Sequence, residues 1–308
     1  MLKFIDRLAK LVQTKGNGVC VGLDPRFESL PKEMQTGRDH GHGQRAAAYA
    51  EFCKAIIDVV CPLVPVVKPQ SAFFEALGPD GMSALAGVIS HATSKTGAEE
   101  LLVILDGKRN DIGSTAQAYA EAYLGRNSPW GADALTVSPY LGDDSLEPFA
   151  AACDANGAGI FVLVKTSNPG GGDFQDQLIQ QSAGTLYQRV ADVVEARAKS
   201  TSGECEYGDI GAVVGATYPE QLAELRQAMP HTWFLVPGYG AQGGGAADVA
   251  AAFDKRGLGA VVNSSRGIIF AHNKEPYKTS YGESRWQDAV RAATEDMIRD
   301  LRSALPHA

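Results

Sequence analysis

Two acids and two lysines, set at the ends of neighbouring apolar runs, are the groups in this chain best placed to do chemistry. Residues 101–115 read Leu-Leu-Val-Ile-Leu-Asp-Gly-Lys-Arg-Asn-Asp-Ile-Gly-Ser-Thr, an apolar strand that leads into Asp106, Lys108 and Asp111 and then into a helix start. Asp106 and Lys108 are two apart, so on an extended chain both side chains leave from one face, and Asp111 stands where Asp commonly caps a helix. Lys68, in Val-Val-Lys-Pro-Gln-Ser, ends the preceding run. Alternating signs keep every member of such a group charged, because each opposite neighbour favours ionisation against partial burial. Lys108 is therefore expected to remain an ammonium ion. A Schiff-base lysine must lose its proton, whereas a lysine flanked by acids suits proton donation or stabilisation of a carbanion. Alone, Asp106, Lys108 and Asp111 could be a surface ion pair and a cap; Lys68 on the adjacent run favours the chemical reading.

A second constellation suits an anion. Val236-Pro-Gly-Tyr-Gly-Ala-Gln-Gly-Gly-Gly245 follows an apolar run and precedes a helix starting near Ala246. Its glycines let main-chain amides approach a phosphate, the helix start adds a favourable dipole, and Gln242 can donate a side-chain hydrogen bond. The next run ends in Asn263-Ser-Ser-Arg266-Gly, where Arg266 supplies a planar, always-charged fork. Either segment alone could be a turn; together they point to a phosphate site.

These groups need a scaffold that brings strand ends together. Eight apolar, β-branched runs lie at 18–23, 62–68, 101–106, 133–138, 159–166, 209–215, 232–237 and 257–263, with helical periodicity at 44–60, 80–95, 114–125, 174–198 and 246–256. The runs are continuously apolar, as expected of parallel strands buried on both faces. Strand-helix alternation repeated eight times predicts an α/β fold, a single (β/α)8 TIM barrel spanning 1–308 with an N-terminal helix and loop insertions. Asp24, Lys68, Asp106, Lys108, Ser138, Lys165, Ser167, Gln242 and Arg266 then all fall at or just past the carboxyl ends of strands, which meet at one mouth. Segments 24–42 and 199–208 are polar and read as surface loops that could not form a core.

Composition narrows the partners. A net charge of -8 with scattered lysines and arginines argues against nucleic acid, and no long uncharged apolar run could span a membrane. The first residues read as an amphipathic helix rather than a signal peptide, so the cytoplasm is the expected compartment. Five cysteines without a C-x-x-C pair suggest reduced, buried thiols. His40-Gly-His42 lacks nearby ligands of other kinds and is read as solvated loop, with no metal assigned.

Taken together these motifs resemble the orotidine 5′-phosphate decarboxylase family, whose members catalyse the last step of UMP synthesis. Asp106-x-Lys108-x-x-Asp111-Ile with Thr115 looks like the family's D-x-K-x-x-D-I-x-x-T signature, and Pro-Gly-x-Gly-Ala-Gln-Gly-Gly with Arg266 looks like its phosphate-gripping end. Val21-Gly-Leu-Asp24-Pro and Lys68-Pro-Gln-Ser-Ala-Phe-Phe-Glu look like its first and second strand ends. The resemblance implies that Lys108, Asp106, Asp111 and Lys68 form the catalytic array, with no cofactor or metal. It implies that Asp24 and Lys68 hold ribose hydroxyls, that Gln242 and Arg266 take the phosphate, and that Ser167 bonds the pyrimidine ring, Thr166 or Ser138 being the alternatives. It also implies a homodimer in which Asp111 and Thr115 reach the partner's site. The long 24–42 loop, the 199–208 insertion and Gly243–Gly245 look like the longer-chain bacterial branch. Two rivals differ in chemistry: a Mg²⁺-dependent sugar-phosphate enzyme of the same barrel type, which wants an acidic ligand where Lys68 stands, and a non-catalytic phosphate-ligand sensor.

Overall fold

The computed structural model describes residues 2–37, 41–180, 184–240 and 244–305. Eight parallel strands close into a barrel: β1 (Val19–Leu23), β2 (Val66–Pro69), β3 (Leu102–Arg109), β4 (Ala134–Val137), β5 (Gly159–Lys165), β6 (Ile210–Val214), β7 (Phe234–Val236) and β8 (Ala260–Ser264). Their order is β1-β8-β7-β6-β5-β4-β3-β2, and β1 pairs with both β8 and β2. The expected TIM barrel is therefore the observed one. Every residue of β1, β2, β4, β6 and β7 is buried, which is why these runs are apolar without alternation. β2 starts later than its apolar run because Pro62 and Pro65 cannot donate to a ladder.

Helices pack around the barrel: α1 (Phe4–Lys15), α2 (His42–Val60), α3 (Gly78–Thr93), α4 (Gly113–Tyr123), α5 (Glu147–Asn156), α6 (Leu186–Ser200), α7 (Pro219–Ala228) and α8 (Trp286–Ala304), with shorter turns between them. Helix α1 closes the amino end. Phe4, Ile5 and Leu8 pack into the cluster that includes Cys20, Leu102, Phe161 and Trp233. The Ile5 amide donates to Asp209 at 3.0 Å and the Arg7 guanidinium to Asp133 at 2.8 Å, both acceptors lying just ahead of a strand. At Gly159 a Cβ would stand 2.2 Å from the Phe4 ring, so only glycine admits the plug. With this end sealed, the carboxyl end is the open mouth.

Three expectations need correction. The 174–198 helix is divided into a single turn at Gly172–Gln175, an antiparallel pairing of Leu178–Ile179 with Gly184–Thr185, and α6. Thr185 and Gln188 form a reciprocal capping box that starts the helix there, a T-x-x-Q signal visible in the chain. The 246–256 helix stops after Ala246–Val249 and a 3-10 turn at Ala250–Ala252, because the Asp254 carboxylate accepts the amides of Arg256 and Leu258 and bends the chain. The polar segments are also not mere surface. Phe27, Leu30 and Met34 enter the core from short turns at Phe27–Ser29 and Lys32–Gln35, and Tyr207 is buried edge-on against Trp233 at 5.2 Å. Sparse apolar residues among polar ones suffice to pin a strap that lies against existing core.

His40 lies outside the described residues, while His42 starts α2 and is exposed. Cys20, Cys53, Cys61 and Cys153 are buried, Cys205 is partly so, and all five are free. Among the described residues no helix is long and apolar enough to cross a membrane.

Candidate active site

β3 delivers the central carboxylate and ammonium through an irregularity. Leu105 pairs with Leu135 and Arg109 with Val137, so three residues of β3 oppose one of β4, and Lys108 adopts a left-handed backbone with φ of 44°. A bulge re-aims side chains at a strand end, and a residue with a Cβ is held in this region only by its surroundings. The two side chains share one face, as their spacing predicts, and the bulge sets the backbone from which they meet. Lys108 Nζ donates to Asp106 Oδ1 at 2.6 Å, while Lys68 Nζ, from the end of β2, donates to Asp106 Oδ2 at 2.7 Å.

Thr136 on β4 completes the array. Its hydroxyl donates to Asp106 Oδ1 at 2.9 Å and accepts the Lys108 amide at 3.0 Å. Nothing marked it beforehand, since threonine is an ordinary strand residue; its inward position two residues from the strand-4 exit was the only available signal. Burial by itself would raise the Asp106 pKa, but Lys68 and Lys108 outweigh it and hold the carboxyl well below the usual carboxylate range. Burial would likewise lower Lys68, yet Asp106 and Asp24 push it above the ordinary lysine value. The Lys68 and Asp106 side chains are 5% and 9% exposed, whereas Lys108 is 48% exposed and faces the mouth.

A cavity of about 320 Å³ opens over this array. Lys68, Asp106, Lys108 and Thr136 line one side, Thr166, Ser167 and Asn168 another, and Leu163, Val213 and Leu235 contribute apolar surface. Its wall reaches Pro237, the residue before the glycine turn. Of the three hydroxyls weighed for the pyrimidine, Thr166 Oγ1 already accepts from Gln175 at 2.7 Å and Ser138 does not line the cavity, whereas Ser167 lines it and its hydroxyl makes no bond among the described residues. Asp24, just past β1, has a buried Oδ1 without a hydrogen-bond partner among the described residues, an acceptor suited to a hydroxyl donor.

The glycine turn and the β8 exit are neighbours, because Val236 pairs with Val262. Gly238 and Gly240 have φ of 100° and 72°, which L side chains rarely adopt, and the Gly240 amide bonds the Gly244 carbonyl at 2.8 Å. Gln242 lies outside the described residues. Arg266 opens the helical turn after β8, is exposed, and makes no ion pair or hydrogen bond among the described residues. Asp111 and Thr115 do not join the array within one chain. The Asp111 carboxylate accepts the Ile112 amide at 2.8 Å, so Ile112 and not Asp111 occupies the cap position of α4, and Thr115 is exposed on the first turn. Among the described residues no three His, Cys, Asp or Glu side chains are grouped to hold a metal ion.

The sequence profile described as "Orotidine 5'-phosphate decarboxylase / HUMPS family" matches residues 17–278. The chain belongs to this family. It is 59% identical over 310 residues to the orotidine 5'-phosphate decarboxylase of Rhodopirellula baltica, covering 98% of this chain and all of that one. The solved OMP decarboxylase of Leishmania donovani superposes with a TM-score of 0.76 at 32% identity, covering 100% of both chains. A solved Streptomyces avermitilis chain gives 0.81 at 33% identity, covering 100% of this chain and 97% of the other.

Proposed function

We propose that this chain, as one barrel domain, converts orotidine 5′-phosphate to UMP and carbon dioxide, the last step of de novo pyrimidine nucleotide synthesis. The observation that carries the reading is the Asp106 carboxylate held between Lys68 at 2.7 Å and Lys108 at 2.6 Å on the floor of the mouth. When the bond from C6 to the carboxylate breaks, the electron pair stays in the ring plane, where the π system cannot delocalise it. Lys108 stabilises that carbanion and gives its Nζ proton to C6, then regains one from solvent. Asp106, next to the substrate carboxylate, disfavours the ground state more than the transition state, which has already shed negative charge from that position.

The remaining roles are assigned as the family resemblance implies them. Asp24 and Lys68 bind ribose hydroxyls, Ser167 bonds the pyrimidine, and Gln242 with Arg266 takes the phosphate. Asp111 and Thr115 serve the site of a second copy. Support for a homodimer comes from Ile112, Tyr140 and Leu141, which are 56%, 79% and 47% exposed at the ends of β3 and β4 beside those two residues. The five free cysteines suit a reducing compartment, and we assign the cytoplasm.

The test is the absorbance change of orotidine 5′-phosphate on conversion to UMP, with and without a chelator. Turnover indifferent to chelator is expected. A protein that binds UMP but leaves the substrate intact is a sensor, and activity on a sugar phosphate that collapses with chelator belongs to the metal-dependent rival.

A further inference from the structure

Lys165 ends β5 with a side chain only 1% exposed, yet it does not line the cavity that begins one residue later. β5 carries an extra residue here: Leu163 pairs with Val213 and Lys165 with Val214, so the strand bulges at Val164. Lys165 Nζ instead lies 5.1 Å from the Tyr187 ring centre and 5.0 Å from that of Tyr218, and donates to Asp176 Oδ1. A buried cation in an aromatic sandwich with a single carboxylate is an expensive feature unless geometry depends on it.

The adjacent residue is clamped in parallel. Gln175 Oε1 accepts the Thr166 amide at 3.0 Å and Gln175 Nε2 donates to Thr166 Oγ1 at 2.7 Å. Consecutive residues 165 and 166 are thus tied to consecutive residues 176 and 175, closing the intervening loop onto the strand end. Ser167 is the next residue, and its carbonyl accepts the Thr217 hydroxyl at 3.3 Å. There is little slack, since a Cβ at Gly215 would stand 2.8 Å from that of Ser167.

We propose that Lys165, Asp176 and Gln175 are positioning residues that fix where the Ser167 hydroxyl meets the pyrimidine, so that recognition of the base depends on a buried lysine that touches no substrate. The inference rests on the assignment of Ser167 to the pyrimidine. It separates base recognition from phosphate recognition, because the clamp sits on β5 while the glycine turn and Arg266 sit on β7 and β8.

The experiment measures dissociation constants of UMP and of ribose 5-phosphate for the full-length wild type, Ser167→Ala, Asp176→Asn, Asp176→Glu, Lys165→Met and the Ser167→Ala/Asp176→Asn pair. Asp176 is 43% exposed, so its variants keep the test alive if Lys165→Met fails to fold. Ser167→Ala is expected to weaken UMP about fivefold, the worth of one neutral hydrogen bond, and to spare ribose 5-phosphate. Asp176→Asn and Lys165→Met should match that selective loss, Asp176→Glu should recover part of it, and the double variant should be no weaker than Ser167→Ala. If Ser167→Ala leaves UMP binding unchanged, the Ser167 assignment fails and the inference with it. If Ser167→Ala weakens UMP while the clamp variants do not, or weaken both ligands equally, the positioning role alone is overturned.

Discussion

Replacing Thr136 by valine isolates one hydroxyl with two partners. Thr136 is 1% exposed, and valine has nearly its shape, so no cavity or clash is introduced. What disappears is the bond donated to Asp106 at 2.9 Å and the acceptor of the Lys108 amide at 3.0 Å. A hydrogen bond to a charged group is worth ~1.5–3 kcal/mol and the orphaned amide adds up to ~1 kcal/mol, less if water reaches it. Asp106 keeps both lysines, so a net loss of about 2–3 kcal/mol in stability is expected, seen as a lower urea midpoint at unchanged slope. The amide also restrains the left-handed Lys108 backbone. If about 1.4–2.7 kcal/mol of the loss is felt in the transition state, kcat/KM for orotidine 5′-phosphate falls roughly 10- to 100-fold. Thr136→Ser retains the oxygen and should stay within about threefold of wild type, a methyl group being the only loss. Wild-type rate and stability in Thr136→Val, or a serine variant as impaired as the valine one, would show that the hydroxyl positions nothing.

Other perturbations probe separate parts of the reading. Arg266→Ala should weaken UMP about tenfold or more while barely changing uridine binding, as expected for a lost charge-assisted contact to phosphate, and equal losses on both ligands would refute the role. Lys108→Ala should abolish turnover and retain measurable UMP binding; mixed with Asp111→Ala it should regain activity, since random exchange in a two-fold dimer leaves about a quarter of sites intact. No recovery despite demonstrated subunit exchange would count against Asp111 acting across an interface. Asp209, under the α1 plug, is raised by burial to about 6 despite the Ile5 amide and Lys3. The folded state thus binds this proton more tightly than the unfolded chain, whose Asp titrates near ~3.9, and the stability it confers is present below that pH and lost as pH rises through about 6. Denaturation at pH 4.5 and pH 7.5 should show most of that loss, about 2 kcal/mol from this group, and Asp209→Asn should flatten it.

The barrel was legible because its strands are buried on both faces: runs such as Leu101–Leu105 and Gly159–Val164 carry no alternation, and the site's ionisable residues follow at carboxyl ends of strands. Lys68, Asp106 and Lys108 were legible for the same reason. The placement of Asp111 as a helix cap was not, because cap preference is a statistical property of a residue type and the α4 start is set by a chain leaving a bulge. Residues 24–42 and 199–208 were misjudged by average polarity, when three side chains, Phe27, Leu30 and Met34, determine whether the first of them packs. Thr136 escaped notice, and Lys165, expected at the mouth, faces away from it, because their placement arises from neighbours far along the chain.

Both charged strand ends share one device. β3 bulges between Leu105 and Arg109 and turns Lys108 toward the mouth, while β5 bulges at Val164 and turns Lys165 away from it. A regular strand would force residues two apart onto one face and leave the next residue facing the helices. On β3 the acid and amine, two residues apart, still meet within 2.6 Å on the floor of the cavity although Lys108 turns left-handed, whereas the bulge of β5 sends its lysine outward while Thr166 and Ser167 line the wall. Strain of roughly 1–3 kcal/mol at the left-handed Lys108 is sustained only because its amide and ammonium are each held. The bulges are therefore part of the site: the irregularity in β3 sets the backbone from which Lys108 reaches Asp106, and the one in β5 keeps Lys165 out of the cavity.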